Sequence, residues 1–351
     1  MRITGVTVEH GPSATRSSLP WRDGLPRRSW VGQSGFLRIS TDEGIDGYAA
    51  IDNPRRMQDL VDKHFATELI GQDPLAREYL WHRMWEVNRL EYMPTPLFGT
   101  VDIALWDLAG KAAGMPVHSL LGTFRRSIPA YASTVTFGSI AEYLDVIDQC
   151  LDLGYRAVKL HAWGDARRDA QLSQAVRDHV GPGFPLMFDG SAGFDLNDAV
   201  YLGRALSEVD YLWYEEPMRE FSVTSYKWLG ERVDVPLLVA EVTEGAHLNV
   251  ADFIMGGSAS MVRTSSGFKG GITGAMRIAH LADSFQMRAE VHGAGLANEH
   301  LCMAIPNTTY YESLVTTNPV RQDARLTASA ELVAPEEPGI GWERLPEQAI
   351  A

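Results

Sequence analysis

The rhythm of apolar and polar positions changes along this chain. Residues 2–8 and 35–40 (GFLRIS) alternate with period two, the pattern of strands with one buried face. TDEGIDGY (41–48) reads as a turn leading into a further strand. From about residue 56 to 121 the period lengthens to that of helices, most clearly in the amphipathic stretch TVDIALWDLAGKAAG. Strands followed by helices predict an α+β unit over residues 1–125.

Beyond residue 125 short apolar runs recur, each followed by a helical stretch. They are IPAYAST (128–134), AVKLHAW (157–163), PLMFDGS (185–191), YLWYEEP (211–217), PLLVAEV (236–242), SMVRTSS (260–266), RAEVHGA (288–294) and TTYYESL (308–314). Most are spaced by 25–28 residues, room for one strand, one helix and two loops. Repeated βα units with right-handed crossovers give a parallel sheet, and about eight of them close a barrel. The predicted class is α/β, a modified TIM-like (β/α) barrel over residues 126–325. An open doubly wound sheet is the second choice, but the glycine-rich dinucleotide fingerprint is missing after the first strand. The segment 326–351, rich in Pro, Glu and Gly, is expected to leave the barrel and return to the N-terminal unit.

Composition narrows the function classes. The chain has 351 residues, with 31 Lys plus Arg against 45 Asp plus Glu, a net charge of −14. Such a balance repels phosphate backbones and anionic lipid, so neither nucleic acid nor a membrane surface is an expected partner. A hydrophobic fraction of 45% supports a full core rather than disorder. Cys150 and Cys302 cannot make a disulfide framework; they read as small buried hydrophobes in a reducing, cytoplasmic setting. The opening MRITGVTVEHG has no long apolar run, so no secretion signal is expected, and no 18-residue apolar run is present to span a membrane.

Three acids end three consecutive predicted strands: Asp189, Glu215 and Glu241, at equal 26-residue spacings. In a barrel this register is expected to set them at one height around the mouth where such folds place their active sites. Converging carboxylates repel unless a cation neutralises them, and hard oxygen donors suit Mg²⁺. Glu215 is chosen over Glu216 because alternation sends Glu216 to the other face, where a structural ion pair is expected. On the preceding strand Lys159 and His161 lie two apart and so share a face. A neighbouring ammonium favours the neutral imidazole that a base requires. His292 ends the seventh strand, across the mouth. Two imidazoles flanking a metal-bound substrate are suited to proton chemistry at carbon. Glu312, on the eighth strand, is expected either to donate a hydrogen bond when protonated or to form a salt bridge.

These residues resemble the enolase superfamily, in its mandelate racemase/muconate lactonizing enzyme-like branch, over nearly the whole chain. VDIALWDLAGKAAGMPVHSLLG (101–122) is similar to that family's link between an N-terminal capping domain and the barrel. YEEP (214–217), FKGGITGAMRIAHLA (268–282) and the three acids are similar to its barrel. The resemblance implies a capping domain completed by the C-terminal tail, a Mg²⁺-bound carboxylate substrate, and loss of the proton α to that carboxylate to give an enediolate. It also implies a homo-oligomer. The family commonly carries Lys-x-Lys on the second strand; here Lys159-Leu160-His161 puts a histidine in the base position. The aspartate that commonly pairs with the seventh-strand histidine is replaced by Ser265. His161 is therefore the preferred base, with His292 an acid or hydrogen-bond donor. Ser191 stands where an asparagine is common and is a candidate substrate contact.

The family's capping loops cover the barrel mouth. The candidate here is SATRSSLPWRDGLPRRSW (13–30), from which Trp21, Arg22 and Arg28 are expected to reach an anionic, hydroxylated substrate. The leading expected reaction is dehydration of an acid sugar to a 2-keto-3-deoxy acid. Epimerisation and lactone cycloisomerisation share the first step. A non-catalytic binding protein on this fold is the alternative from another class, and intact acids and Lys159 count against it. A multi-histidine metal hydrolase is disfavoured because the first strand has no His-x-His.

Overall fold

The alternating N-terminal segments form a long antiparallel hairpin in the computed structural model, which describes residues 1–342. Strand β1 (Ile3–Ser17) pairs with β2 (Ser29–Thr41), from Ile3 opposite Thr41 to Ser17 opposite Ser29, and β3 (Gly47–Ile51) adds to β2. Both strands run further than the alternation predicts. The segment 13–30 is thus mostly the end of a hairpin, with 18–28 as its loop. Ile3, Val6, Leu37, Ile39, Ala49 and Ile51 are buried on one face of this sheet.

Helices cover that face. Asn53 caps α1 (Pro54–Leu60) through the Arg56 N–H, and proline at the first helical position costs no needed donor. A π-helical turn leads to α2 (Ala66–Leu69), followed by α3 (Arg77–Glu91), α4 (Thr95–Ala113) and α5 (Val117–Leu121). Phe65, Leu80, Met84, Phe98 and Leu105 pack with the sheet residues into the first core.

The eight apolar runs all become parallel strands: β4 (Ser127–Thr134), β5 (Val158–His161), β6 (Leu186–Asp189), β7 (Trp213–Glu215), β8 (Leu237–Val239), β9 (Met261–Thr264), β10 (Arg288–Val291) and β11 (Tyr311–Val315). Helices α6 (Ile140–Asp152), α7 (Ala166–Val180), α8 (Leu196–Glu208), α9 (Val223–Gly230), α10 (Ala246–Met255), α11 (Gly271–Ser284) and α12 (Leu296–Ala304) connect them. Ser139, Asp165, Asp195 and Ser222 each cap the helix they precede, satisfying N–H groups that a first turn leaves open. Each strand pairs with its successor from β4 to β10, and β11 pairs with β4. Between β10 and β11 the ring is joined by Ala289 N–H to the Asn307 carbonyl (3.0 Å) and Val291 N–H to Thr308 Oγ1 (3.2 Å).

Two motifs carrying the family resemblance meet in space. Asp102 of α4 accepts the Thr273 N–H (2.9 Å) and hydroxyl (2.6 Å) at the start of α11. A Cβ on Gly271 would lie 2.3 Å from Asp102 Oδ2, and its φ of +83° is in the region that favours glycine. Trp81 donates to the Gly270 carbonyl at 2.7 Å. The glycine pair therefore seats the N-terminal unit directly on the barrel.

Beyond β11 the chain crosses the barrel floor. Strand β12 (Glu331–Val333) pairs antiparallel with β4. Ile340 N–H then bonds Asp107 (2.8 Å) and Trp342 Nε1 bonds the Tyr48 carbonyl (2.7 Å). Residues 343–351 of the expected tail lie outside the described residues. Among the described residues no helix is long and apolar enough to cross a membrane.

Candidate active site

Asp189 and Glu215 are ladder partners, each the last residue of its strand. Glu215 also pairs with Leu238, so Glu241 lies three residues beyond that level. Equal spacing is therefore not what levels the three acids. The chain leaves the β8 ladder at Val239 and turns at Ala240 (φ +68°), and one oxygen from each of the three acids lies within 4.8 Å of the others. Glu220 is built around this turn: its carboxylate accepts the N–H groups of Ala240 and Val242 (3.2 Å for the latter), on either side of Glu241.

The alternation argument fails at Glu216. Its φ of +38° breaks the extended backbone, and Glu216 lines the cavity instead of turning away. It makes no ion pair among the described residues, and its buried Oε1 has no partner there. Burial, then the nearby carboxylates of Glu220, Asp189 and Glu215, push its carboxyl well above the usual range.

Two cations lie beneath the ring. Lys159 Nζ, fully buried, reaches Glu215 (2.9 Å), Glu312 (2.9 Å) and Asp189 (3.2 Å). Arg263 of β9 grips Glu215 with Nε and Nη2 and gives Nη2 also to Tyr131 Oη (2.9 Å). Arg263 was not among the sequence candidates; its signal was a lone charge inside an apolar strand. Burial works to raise the Glu215 carboxyl, but Arg263 and Lys159 outweigh it and hold it low. Asp189 is likewise held low, by His161 and Lys159 against burial. At Glu241 the balance goes the other way: burial and then Glu216, Glu215 and Asp189 push it well above the usual range, and its Oε2 is buried without a partner. One orphaned oxygen in a close-set trio of hard donors fits a divalent cation such as Mg²⁺, with Asp189, Glu215 and Glu241 as the residues that could hold it.

Glu312 accepts from Lys159 and from the Gly293 N–H (2.7 Å). Burial opposes its ionisation, but Lys159, Arg263 and His292 hold it well below the usual range. Of the two roles considered from sequence, the salt bridge is the one formed; an ionised acceptor has no proton to donate.

His161 Nδ1 lies 2.7 Å from the Thr134 carbonyl, which can only accept, so that nitrogen carries the proton. Nε2 faces the cavity, 3.1 Å from Asp189 Oδ2, and Trp21 packs on the ring with centroids 4.7 Å apart. Across the mouth, His292 Nε2 lies 3.1 Å from Glu241 Oε1, and Phe268 stacks on its ring at 5.1 Å. Burial pushes the His292 imidazole down to about 4, so it is neutral near pH 7. Ser265 closes a turn by accepting the Gly267 N–H (3.1 Å) and is absent from the cavity lining. Phe268, from the same loop and not foreseen, is what meets His292.

The cavity is about 420 Å³. Among the lid candidates only Trp21 lines it, joined by Leu25. Arg22 is turned aside: Nε donates to the Ser191 carbonyl (3.0 Å) and Nη1 to the Asp23 carbonyl (2.9 Å). Arg28 is exposed on the hairpin loop, where its main chain bonds Ser18. Ser191 lines the cavity, but its hydroxyl donates to the Trp21 carbonyl (3.4 Å). With Thr136 N–H on the Pro20 carbonyl (2.7 Å), these bonds latch the lid over the mouth.

Comparison with known proteins agrees with this geometry. Residues 31–122 match the model of the mandelate racemase/muconate lactonizing enzyme N-terminal domain, and residues 142–348 that of the enolase C-terminal domain-like family. A solved D-glucarate dehydratase from Agrobacterium tumefaciens, complexed with magnesium, superposes with a TM-score of 0.88 at 30% identity, covering 97% of this chain and 96% of that one. A D-galactonate dehydratase family member from Streptomyces bingchenggensis is 29% identical over 91% of this chain and 88% of its own. A 3,6-anhydro-alpha-L-galactonate cycloisomerase from Streptomyces coelicolor is 29% identical over 79% of each. The chain belongs to the enolase superfamily, as an enzyme of its mandelate racemase/muconate lactonizing enzyme branch.

Proposed function

We propose that this enzyme removes the proton α to the carboxylate of a hydroxylated small-molecule acid, with His161 as the base, and eliminates the β-hydroxyl as water to give a 2-keto-3-deoxy acid. The observation that carries this reading is the setting of His161: Nδ1–H is committed to the Thr134 carbonyl, so Nε2, at the cavity and 3.1 Å from Asp189 Oδ2, is the nitrogen that can exchange a proton there. Asp189, Glu215 and Glu241 would hold Mg²⁺, which when bound supplies the positive charge that an α-proton beside a carboxylate needs in order to leave. Lys159 and Arg263 keep Glu215 ionised from beneath.

The proton taken by Nε2 makes His161 an imidazolium. Returned to the β-hydroxyl on the same face, it lets water depart as the Cα–Cβ double bond forms, and the resulting enol ketonises. His292 has its Nε2 3.1 Å from Glu241 Oε1 and lacks an aspartate partner, which favours one base over a symmetric two-base racemase. The dehydratases among its relatives support elimination. The cycloisomerase relative supports a second outcome from the same first step.

Proton NMR in D₂O with Mg²⁺, across aldonic, aldaric and uronic acids and their lactones, tests this. Deuterium at the α-carbon with a 2-keto-3-deoxy product is expected. Turnover without exchange or loss of the α-proton would overturn it.

A further inference from the structure

Much of the cavity wall outside the acidic ring is carbon. Trp21 and Leu25 of the lid, Val242 beyond β8, Phe268 beyond β9 and Leu314 of β11 contribute it. Its charged lining residues are all acids, Asp189, Glu216, Glu241 and Glu312; no lysine or arginine lines it among the described residues. The lid arginines that could have supplied a cation are spent elsewhere, Arg22 on main-chain carbonyls and Arg28 outside the cavity. Ser191, which brings a hydroxyl to the lining, directs it at the Trp21 carbonyl.

We infer that the substrate is a monocarboxylate whose far end is uncharged and presents carbon, such as a terminal methyl or a cyclic ether, rather than a second carboxylate. The inference rests on the proposed function only in placing the reacting carboxylate at Asp189, Glu215 and Glu241. A single carboxylate joins the cation there. A second one, at the other end, would lose water and meet either apolar carbon or acids of its own sign, and a buried charge without a partner is costly.

Two six-carbon acids that differ only at the far end test this: 2-hydroxyhexanoate, ending in methyl, and 2-hydroxyadipate, ending in carboxylate. Binding of each to the full-length protein is measured by calorimetry with Mg²⁺, and α-proton exchange by NMR in D₂O. Neither acid has a β-hydroxyl to lose. The expected result is Mg²⁺-dependent binding of 2-hydroxyhexanoate at least about tenfold tighter than that of 2-hydroxyadipate, a modest share of the cost of an unpaired buried charge. Equal or tighter binding of 2-hydroxyadipate overturns the inference, and so does binding of neither when Mg²⁺ itself binds. Tight binding of 2-hydroxyhexanoate without exchange leaves the carbon wall in place and counts instead against the proposed chemistry. Leu25→Arg, on the half-buried lid, should narrow or reverse the preference; an unchanged ratio with Mg²⁺ affinity intact also overturns the inference.

Discussion

His161 donates its Nδ1 proton to the Thr134 carbonyl at 2.7 Å, and this bond determines which face of the imidazole can do chemistry. A main-chain acceptor cannot titrate or rotate away as a carboxylate partner could, so Nε2 is kept as the basic nitrogen at the cavity. His161→Asn should lower α-proton exchange about a thousandfold, within the range that positioned bases contribute, while Mg²⁺ affinity stays within about twofold. NMR exchange rates and calorimetry check both parts. Retained exchange would move the base to His292.

Glu215 and Glu241 are expected to fail differently when neutralised. Glu215 is gripped by two buried cations, so Glu215→Gln leaves Lys159 and Arg263 short of a partner and should destabilise the metal-free protein by about 3 kcal/mol or more, seen as a lower melting temperature. Glu241 is a crowded carboxylate with an orphaned oxygen. Glu241→Gln should abolish Mg²⁺ binding without lowering that melting temperature. Thermal unfolding and Mg²⁺ titration of both variants decide the point.

The barrel was legible because each of its strands is an apolar run, and an apolar run is a local signal. The three acids were legible because they end such runs. What was not legible depended on single backbone angles and on tertiary acceptors. Glu216 was assigned to the wrong face because alternation assumes extended backbone, and its φ is +38°. Arg22 was read as a substrate clamp because its acceptor, the Ser191 carbonyl, is 169 residues away in sequence. Glu220 follows the conspicuous YEEP by only three residues, yet its partners lie on the next strand's exit.

Glu220 does not itself line the cavity but accepts both peptide N–H groups that flank Glu241, those of Ala240 and Val242. Glu220→Gln exchanges one accepting oxygen for an amino group that cannot serve either N–H. The turn at Ala240 should loosen, and Mg²⁺ affinity should fall about tenfold or more, the usual cost of losing an outer partner of a metal ligand. Calorimetric Mg²⁺ titration reads this directly. Unchanged affinity would mean that the ring holds Glu241 without this support.

His118 ties the C-terminal tail to the barrel floor. Its Nε2 lies 2.8 Å from the Pro335 carbonyl and its Nδ1 2.8 Å from Thr123 Oγ1, and its ring stacks on His300 at 5.6 Å. Burial, with Arg126 adding to it, pushes the imidazole below its ordinary 6.5, although the Pro335 bond works the other way. The sign follows from linkage: a histidine whose folded value is depressed takes up a proton more readily when undocked. Its contribution is therefore complete above the unfolded value and is lost as pH falls below it. His118→Gln keeps an N–H donor for Pro335 but cannot titrate. The wild type should melt higher than the variant near pH 7.5, and the gap should shrink toward about pH 5.5. Other titrating groups are common to both proteins and cancel in the difference. A gap that stays constant over that range would show that His118 does not carry this pH dependence.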